Sequence, residues 1–165
     1  MDLLTHIFLG AAVGTVTLGC KAGKKAMLWG AISGVLPDID MLVVPFLETA
    51  NGLLVHRGIT HSILFIFIVT PLVGWFISRN NKNVLLKPKH WATLVFWSMI
   101  SHVTIDVFTS YGTGIFMLFN NARYAISTIA IVDVFFTFPL LVCFVWGLVV
   151  KDNIGRKIVC WIGIG

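Results

Sequence analysis

Ionisable side chains sit inside apolar runs that are long enough to cross a bilayer, and this constrains the chain more than any other feature. A spanning helix needs about 20 apolar residues to cover ~30 Å of hydrocarbon. The runs 3–20, 27–47, 62–78, 91–108 and 126–150 meet or approach that length. Within lipid every backbone N–H and C=O must find a partner, which restricts spanning structure to helices and closed barrels. No alternation of apolar and polar residues supports a barrel. The expected fold is therefore all-α: one integral membrane domain over residues 1–165, a polytopic transmembrane bundle of about five helices. Composition agrees, since 58% of the 165 residues are hydrophobic and only 12% are charged, against about 25% charged in an ordinary soluble domain. Gly10-xxx-Gly14 and Gly30-xxx-Gly34 give the small-residue spacing that suits close helix packing.

The first run lacks a basic leading segment and a small-residue cleavage site, so it is expected to be a span and not a signal peptide. Cys20, Cys143 and Cys160 are scattered and suggest neither a disulfide framework nor a metal knuckle. The net charge of +5 is a topology signal. Ten of the twelve basic residues fall in alternate connections: after the first run (Lys21, Lys24, Lys25), after the third (Arg79, Lys82, Lys87, Lys89) and after the fifth (Lys151, Arg156, Lys157). That distribution marks cytoplasmic loops and argues against nucleic acid as a partner. The opposite connections, 48–61 and 109–125, then face outward. A bacterial inner-membrane, multi-pass protein is expected, with membrane lipid as its surroundings. The short run from Ile158 is too short to span and is expected at the interface or at a truncated end.

With that orientation, His6, Asp40, His61, His102, Asp106 and Asp133 all fall within roughly 11 Å of the outer face, with Asp38 slightly deeper. An ionisable group at membrane depth costs about 3 kcal/mol, so convergence of several on one side points to a site where they compensate one another. Imidazoles and carboxylates together do this by binding a divalent metal. His102 and Asp106 are spaced i, i+4 and project from one helix face. Pro37-Asp38-Ile39-Asp40 breaks the second helix and can aim two carboxylates at a pocket, although a kinked helix with solvated aspartates fits the same residues. His56-Arg57-Gly58-Ile59-Thr60-His61-Ser62 adds two imidazoles, a guanidinium suited to phosphate, and two hydroxyls; an interfacial loop whose arginine meets lipid headgroups is its plainer reading. His6 also suits a simple helix-packing contact. Asp133 suits a role behind a histidine, and His90 lies at the cytoplasmic end, outside the cluster.

Taken together these residues resemble the membrane-bound metal-dependent hydrolase family, also labelled LexA-binding, inner-membrane-associated hydrolases. The matching pieces are Met1-Asp2 with Thr5-His6, Leu36-Pro-Asp-Ile-Asp40, His56-Arg-Gly-Ile-Thr-His-Ser62, Ser101-His-Val-Thr-Ile-Asp106, Thr109-Ser-Tyr-Gly112 and Ile131-Val-Asp133, spread over roughly the first 135 residues. That family is in turn distantly similar to zinc-dependent phospholipase C and P1 nuclease type enzymes. The resemblance implies metal ligands among His6, Asp38, Asp40, His61, His102 and Asp106, with zinc as the ion. It implies catalytic roles for Asp38 or Asp40 as base and Arg57 as phosphate clamp, and supporting or substrate contacts from Asp2, His56, Thr60, Ser62, Ser110 and Asp133. Nothing after Asp106 matches the further ligands of the soluble enzymes, so one or two metals are expected instead of three. The implied activity is hydrolysis of a phosphoester such as a phospholipid headgroup. The alternatives are a non-enzymatic protein that uses the cluster to bind ions or protons, and a structural metal that staples the bundle. The inner halves of the helices are almost purely apolar, which disfavours conduction.

Overall fold

The computed structural model describes residues 2–42, 58–81, 86–117, 122–128, 133–150 and 152–164. These form a helical membrane bundle. Helix α1 spans Leu3–Ala22, α2 Lys24–Val35, α3 Ile63–Asn80, α4 Pro88–Phe108, α5 Val134–Val149 and α6 Asn153–Ile164. Two 3-10 segments, Leu36–Leu42 and Ile59–His61, lie between α2 and α3. Three helices, α1, α3 and α4, are long and apolar enough to cross a membrane, and α5 is a shorter apolar helix.

The helix starts are readable in chemistry. Asp2 caps α1 by accepting from Thr5 N, and Ser62 caps α3 by accepting from Phe65 N. Pro88 occupies the first turn of α4, where its missing N–H costs nothing. Asp133 caps α5 by accepting from Phe136 N. A side-chain oxygen at that position satisfies an N–H that the first turn leaves orphaned.

α1 and α2 form a tight hairpin through Gly23, whose φ of 58° is left-handed and favours glycine. Their interface is the glycine spacing noted in the sequence. A Cβ added at Gly30 would run into the Gly10 carbonyl oxygen and lie 2.7 Å from Gly14 Cα; one at Gly34 would lie 2.7 Å from the His6 carbonyl oxygen. The backbones touch, with no room for side chains. α3 pairs with α4, and Ile66 and Ile77 join Trp91, Leu94, Val95 and Met99 in the main core. The far face of α3 exposes Phe67, Leu72, Trp75 and Phe76, as a lipid-facing surface should.

The structure refines the apolar runs. The second, expected over 27–47 with an interruption at Pro37-Asp38-Ile39-Asp40, is α-helical to Val35 and continues as 3-10 helix to Leu42, with residues 43–47 outside the described residues. Pro37 is the cause, having no N–H to continue the ladder and a ring that clashes with the preceding turn. Twelve residues of α-helix and seven of 3-10 helix still rise about 32 Å, a bilayer's thickness. The fifth run, expected from 126, becomes helical only at Val134; residues 126–128 instead back onto the end of α4, Ile126 N donating to Val107 O at 2.8 Å and Thr128 N to Phe108 O at 2.9 Å. Beyond the five apolar runs, the short C-terminal segment, too short to span, is also helical. The sixth, α6, packs on α1 and α5 and buries Cys160 against Leu9, Ala12 and Leu140.

Candidate metal centre

α4 supplies His102 and Asp106 from one face, both fully buried. The 3-10 segment after α2 supplies Asp38, and the short turn before α3 supplies His61; both are buried. α1 supplies His6. Thus five residues, separated by up to a hundred positions in the chain, meet between four elements.

Four of their atoms converge. One donor atom from each of Asp38, His61, His102 and Asp106 lies within 4.8 Å of the other three. His61 Nε2 is 3.1 Å from His102 Nε2, 3.5 Å from Asp38 Oδ1 and 3.4 Å from Asp106 Oδ2. His102 Nε2 is 3.5 Å from Asp38 Oδ1 and 3.5 Å from Asp106 Oδ2. A tetrahedral ion with bonds of about 2.0–2.2 Å requires donors roughly 3.3–3.6 Å apart. The four imidazole–carboxylate distances match such edges, and the His61–His102 separation of 3.1 Å is slightly shorter.

The hydrogen-bond network fixes which imidazole nitrogens face inward. His102 Nδ1 lies 2.6 Å from the Gly34 carbonyl oxygen. A carbonyl only accepts, so Nδ1 carries a proton and Nε2 is the nitrogen turned to the centre. Gly34 O is available because a 3-10 turn would draw its donor from residue 37, and Pro37 has none. On the other side Thr60 Oγ1 donates to Asp40 Oδ2 at 2.8 Å and lies 3.0 Å from His61 Nδ1. With its own proton spent on the carboxylate, the hydroxyl accepts from Nδ1–H, and His61 also presents Nε2 inward. The Nε2 atoms of two imidazoles and two carboxylates therefore face one another. Two carboxylates within 4.8 Å repel by roughly 3–4 kcal/mol even at an effective dielectric of about 20. A cation held among them would relieve the conflict, and the four donors could hold a metal ion.

His6 lies against this group. Its Nδ1 is 3.0 Å from Asp38 Oδ2 and its Nε2 is 3.3 Å from Asp106 Oδ1, so one ring bridges the outer oxygens of both carboxylates. It also stacks on His102 with centroids 3.6 Å apart.

The sequence candidates sort as follows. His6, Asp38, His61, His102 and Asp106 come together. Between the two aspartates of the Pro37 motif, Asp38 reaches the centre. The expectation of Asp40 as ligand or base meets a different placement: Asp40 stands behind His61, its Oδ2 3.8 Å from Nδ1 on the far side of the ring. Thr60 joins Asp40 there. Asp2, Ser62 and Asp133 serve as helix caps, and Asp2 also accepts from Thr5 Oγ1 at 2.6 Å. Ser110 is exposed in the turn after α4. His56 and Arg57 lie outside the described residues. His90 is twelve residues, about 18 Å, from His102 along α4 and accepts from Lys87 N. The Gly34 carbonyl was missed, being a backbone group without a side-chain signature; the proline three residues on was its only signal.

Comparison with known proteins points the same way as the apolar helices. The chain is 34% identical to inner membrane protein YbcI of Escherichia coli K12 over 114 residues, covering 68% of this chain and 64% of that one. It is 30% identical to the uncharacterized protein YfhP of Bacillus subtilis 168 over 145 residues, covering 82% of this chain and 42% of that one. The alignments thus span under two thirds of either relative's length. No solved structure matches. The YdjM inner membrane protein family matches over residues 1–164, nearly the whole chain and every residue of the buried cluster, and the protein is a member of that inner-membrane family.

Proposed function

We propose that this protein is a membrane-embedded, metal-dependent hydrolase of phosphoesters, with zinc held by Asp38, His61, His102 and Asp106. The observation that carries the reading is the set of four buried donors at tetrahedral spacing, one of which, Asp38, also lines an open groove on the bundle surface. Zinc bound there would lower the pKa of a coordinated water towards ~7 and polarise a phosphoryl oxygen. The chain's own residues do the positioning. Gly34 O and the Thr60–Asp40 pair hold the two imidazoles in the tautomer that offers Nε2, and His6 holds the two carboxylates in register from behind. Arg57, four positions before His61, is the group suited to grip a phosphate and stabilise its developing charge. Asp40, shielded by the His61 ring, acts as that ring's orienting carboxylate and not as the base. The resemblance to metal-dependent hydrolases and to zinc phospholipases supports the reaction class; its LexA label finds no matching feature in these residues.

The expected result is that purified, zinc-loaded protein hydrolyses bis(p-nitrophenyl) phosphate, that a chelator stops it, and that zinc restores it. Full zinc occupancy with no turnover of this diester or of a phospholipid would refute the hydrolase reading. It would favour the second one, a structural ion, which has its own observation: four protein donors complete the tetrahedron, as in closed structural sites. Retained fold with no bound metal would favour proton binding by the same cluster.

We place the centre towards the periplasmic side of a multi-pass chain, on the strength of the basic residues in alternate connections. A cysteine introduced at Arg57 is expected to react with an impermeant thiol reagent in intact cells, and one at Lys82 only after lysis. The reverse pattern would invert the topology.

A further inference from the structure

An open groove of about 630 Å³ runs along α1, α2 and the 3-10 segment that follows. Its walls include Ile7 of α1, Ala31 and Ile32 of α2, and Ile39 and Met41 of the 3-10 segment; among the described residues Asp38 is its only polar lining residue. Ile32, Ile39 and Met41 are 42%, 50% and 51% exposed, so the groove is open to the surroundings of the bundle. At its polar point the carboxylate of Asp38 reaches inward, Oδ1 lying 3.5 Å from both His61 Nε2 and His102 Nε2. One residue therefore belongs to the wall of an apolar trough and to the buried donor set.

We infer that this groove seats an acyl chain of a membrane lipid, and that the substrate is a lipid phosphoester whose headgroup is delivered to the centre past Asp38; this rests on the hydrolase reading above. A water-soluble phosphoester would find no hydrogen-bond partner along the apolar wall of the trough. An amphiphile matches both ends, apolar along Ile7, Ala31 and Met41 and polar at Asp38. Neighbouring lipid tails are as apolar as the groove, so burial from water does not hold the chain there. Van der Waals fit in the concave wall and the polar anchor do. The consequence is access from within the bilayer, without passage through the outer aqueous phase.

The test uses the full-length, zinc-loaded protein in vesicles containing a phosphatidylcholine with a diazirine in its acyl chain. After illumination, label is expected to concentrate on peptides bearing Ile32 and Ile39 over those bearing the exposed Phe67 and Trp75 of α3. Ala31→Phe and Ile32→Trp, which fill the groove, are expected to reduce that label. They should also lower kcat/KM for a long-chain phospholipid, relative to that for bis(p-nitrophenyl) phosphate, by about tenfold. Even labelling of all exposed helices would overturn the lipid site, as would lipid turnover undiminished by both variants. Groove labelling without turnover of either ester would uphold the acyl site and refute the hydrolase reading, so the two failures are distinguishable.

Discussion

His102→Ala and Asp106→Ala are each expected to strip the metal from the protein. Both residues come from one face of α4, both are fully buried, and both contribute a donor atom to the set of four. Changing a residue that merely orients a ligand typically costs 10–100-fold in metal affinity, and losing a ligand itself should exceed about 100-fold. Removing His102 also leaves the Asp38 and Asp106 carboxylates facing each other with less compensation, so alanine there should lower stability as well. Asp106→Asn separates the two effects, because it keeps the volume and removes the anionic donor. Metal analysis of detergent-purified protein is the measurement, with His90→Ala as a control on the same helix. Retention of full metal content by both alanine variants, or a metal-free wild type, would end the proposal of a metal centre at these residues.

The second large effect lies in the α1–α2 hairpin. Gly30→Ala is expected to destabilise the fold by about 3 kcal/mol or more, the upper end of the range for overpacking, because the obstruction is backbone. The added methyl would meet the Gly10 carbonyl oxygen and approach Gly14 Cα to 2.7 Å and Gly14 N to 3.0 Å. Neither can swing aside as a flexible side chain would; the helices must separate. Separation moves His6 away from Asp38, so metal content should fall together with stability. Gly155→Ala is the matched control. A Cβ there meets nothing nearer than Asp152 Oδ2 at 3.3 Å, and alanine in a helix gains roughly 0.5–1 kcal/mol over glycine. Thermal unfolding in detergent, followed by circular dichroism, reads both. A Gly30→Ala protein as stable as wild type would mean that the glycine contact does not hold the pair.

The spans and the cluster were legible in the sequence for different reasons. Run length and hydropathy reveal α1, α3 and α4 because the bilayer imposes one thickness on every crossing. His102 and Asp106 are legible because a helix carries residues i and i+4 to one face whatever surrounds it. The choice between Asp38 and Asp40 was not, since it depends on the path of the 3-10 segment after Pro37, which local sequence leaves open. Asp2, Ser62 and Asp133, expected among the supporting residues, are seen as helix caps. Short oxygen-bearing side chains at helix starts serve both purposes, and only the backbone N–H they meet tells them apart. Each stands immediately before its helix, at Leu3, Ile63 and Val134, so a search for capping positions would have separated them. α6 escaped because its apolar residues are too few to span and gain their partners only from α1 and α5.

The donors of the cluster are dispersed along the chain, His6 first and Asp106 last. During synthesis, then, the early helices enter the bilayer carrying polar groups whose partners do not yet exist. A histidine in α1 and an aspartate after α2 must wait until α4 has emerged from the ribosome and docked. Any ion bound by all four donors would arrive only after residue 106, and its capture would mark the moment at which the first four helices become one body. In the cell such an ion would serve as a record that the first four helices have assembled, and a chain stalled earlier would hold none.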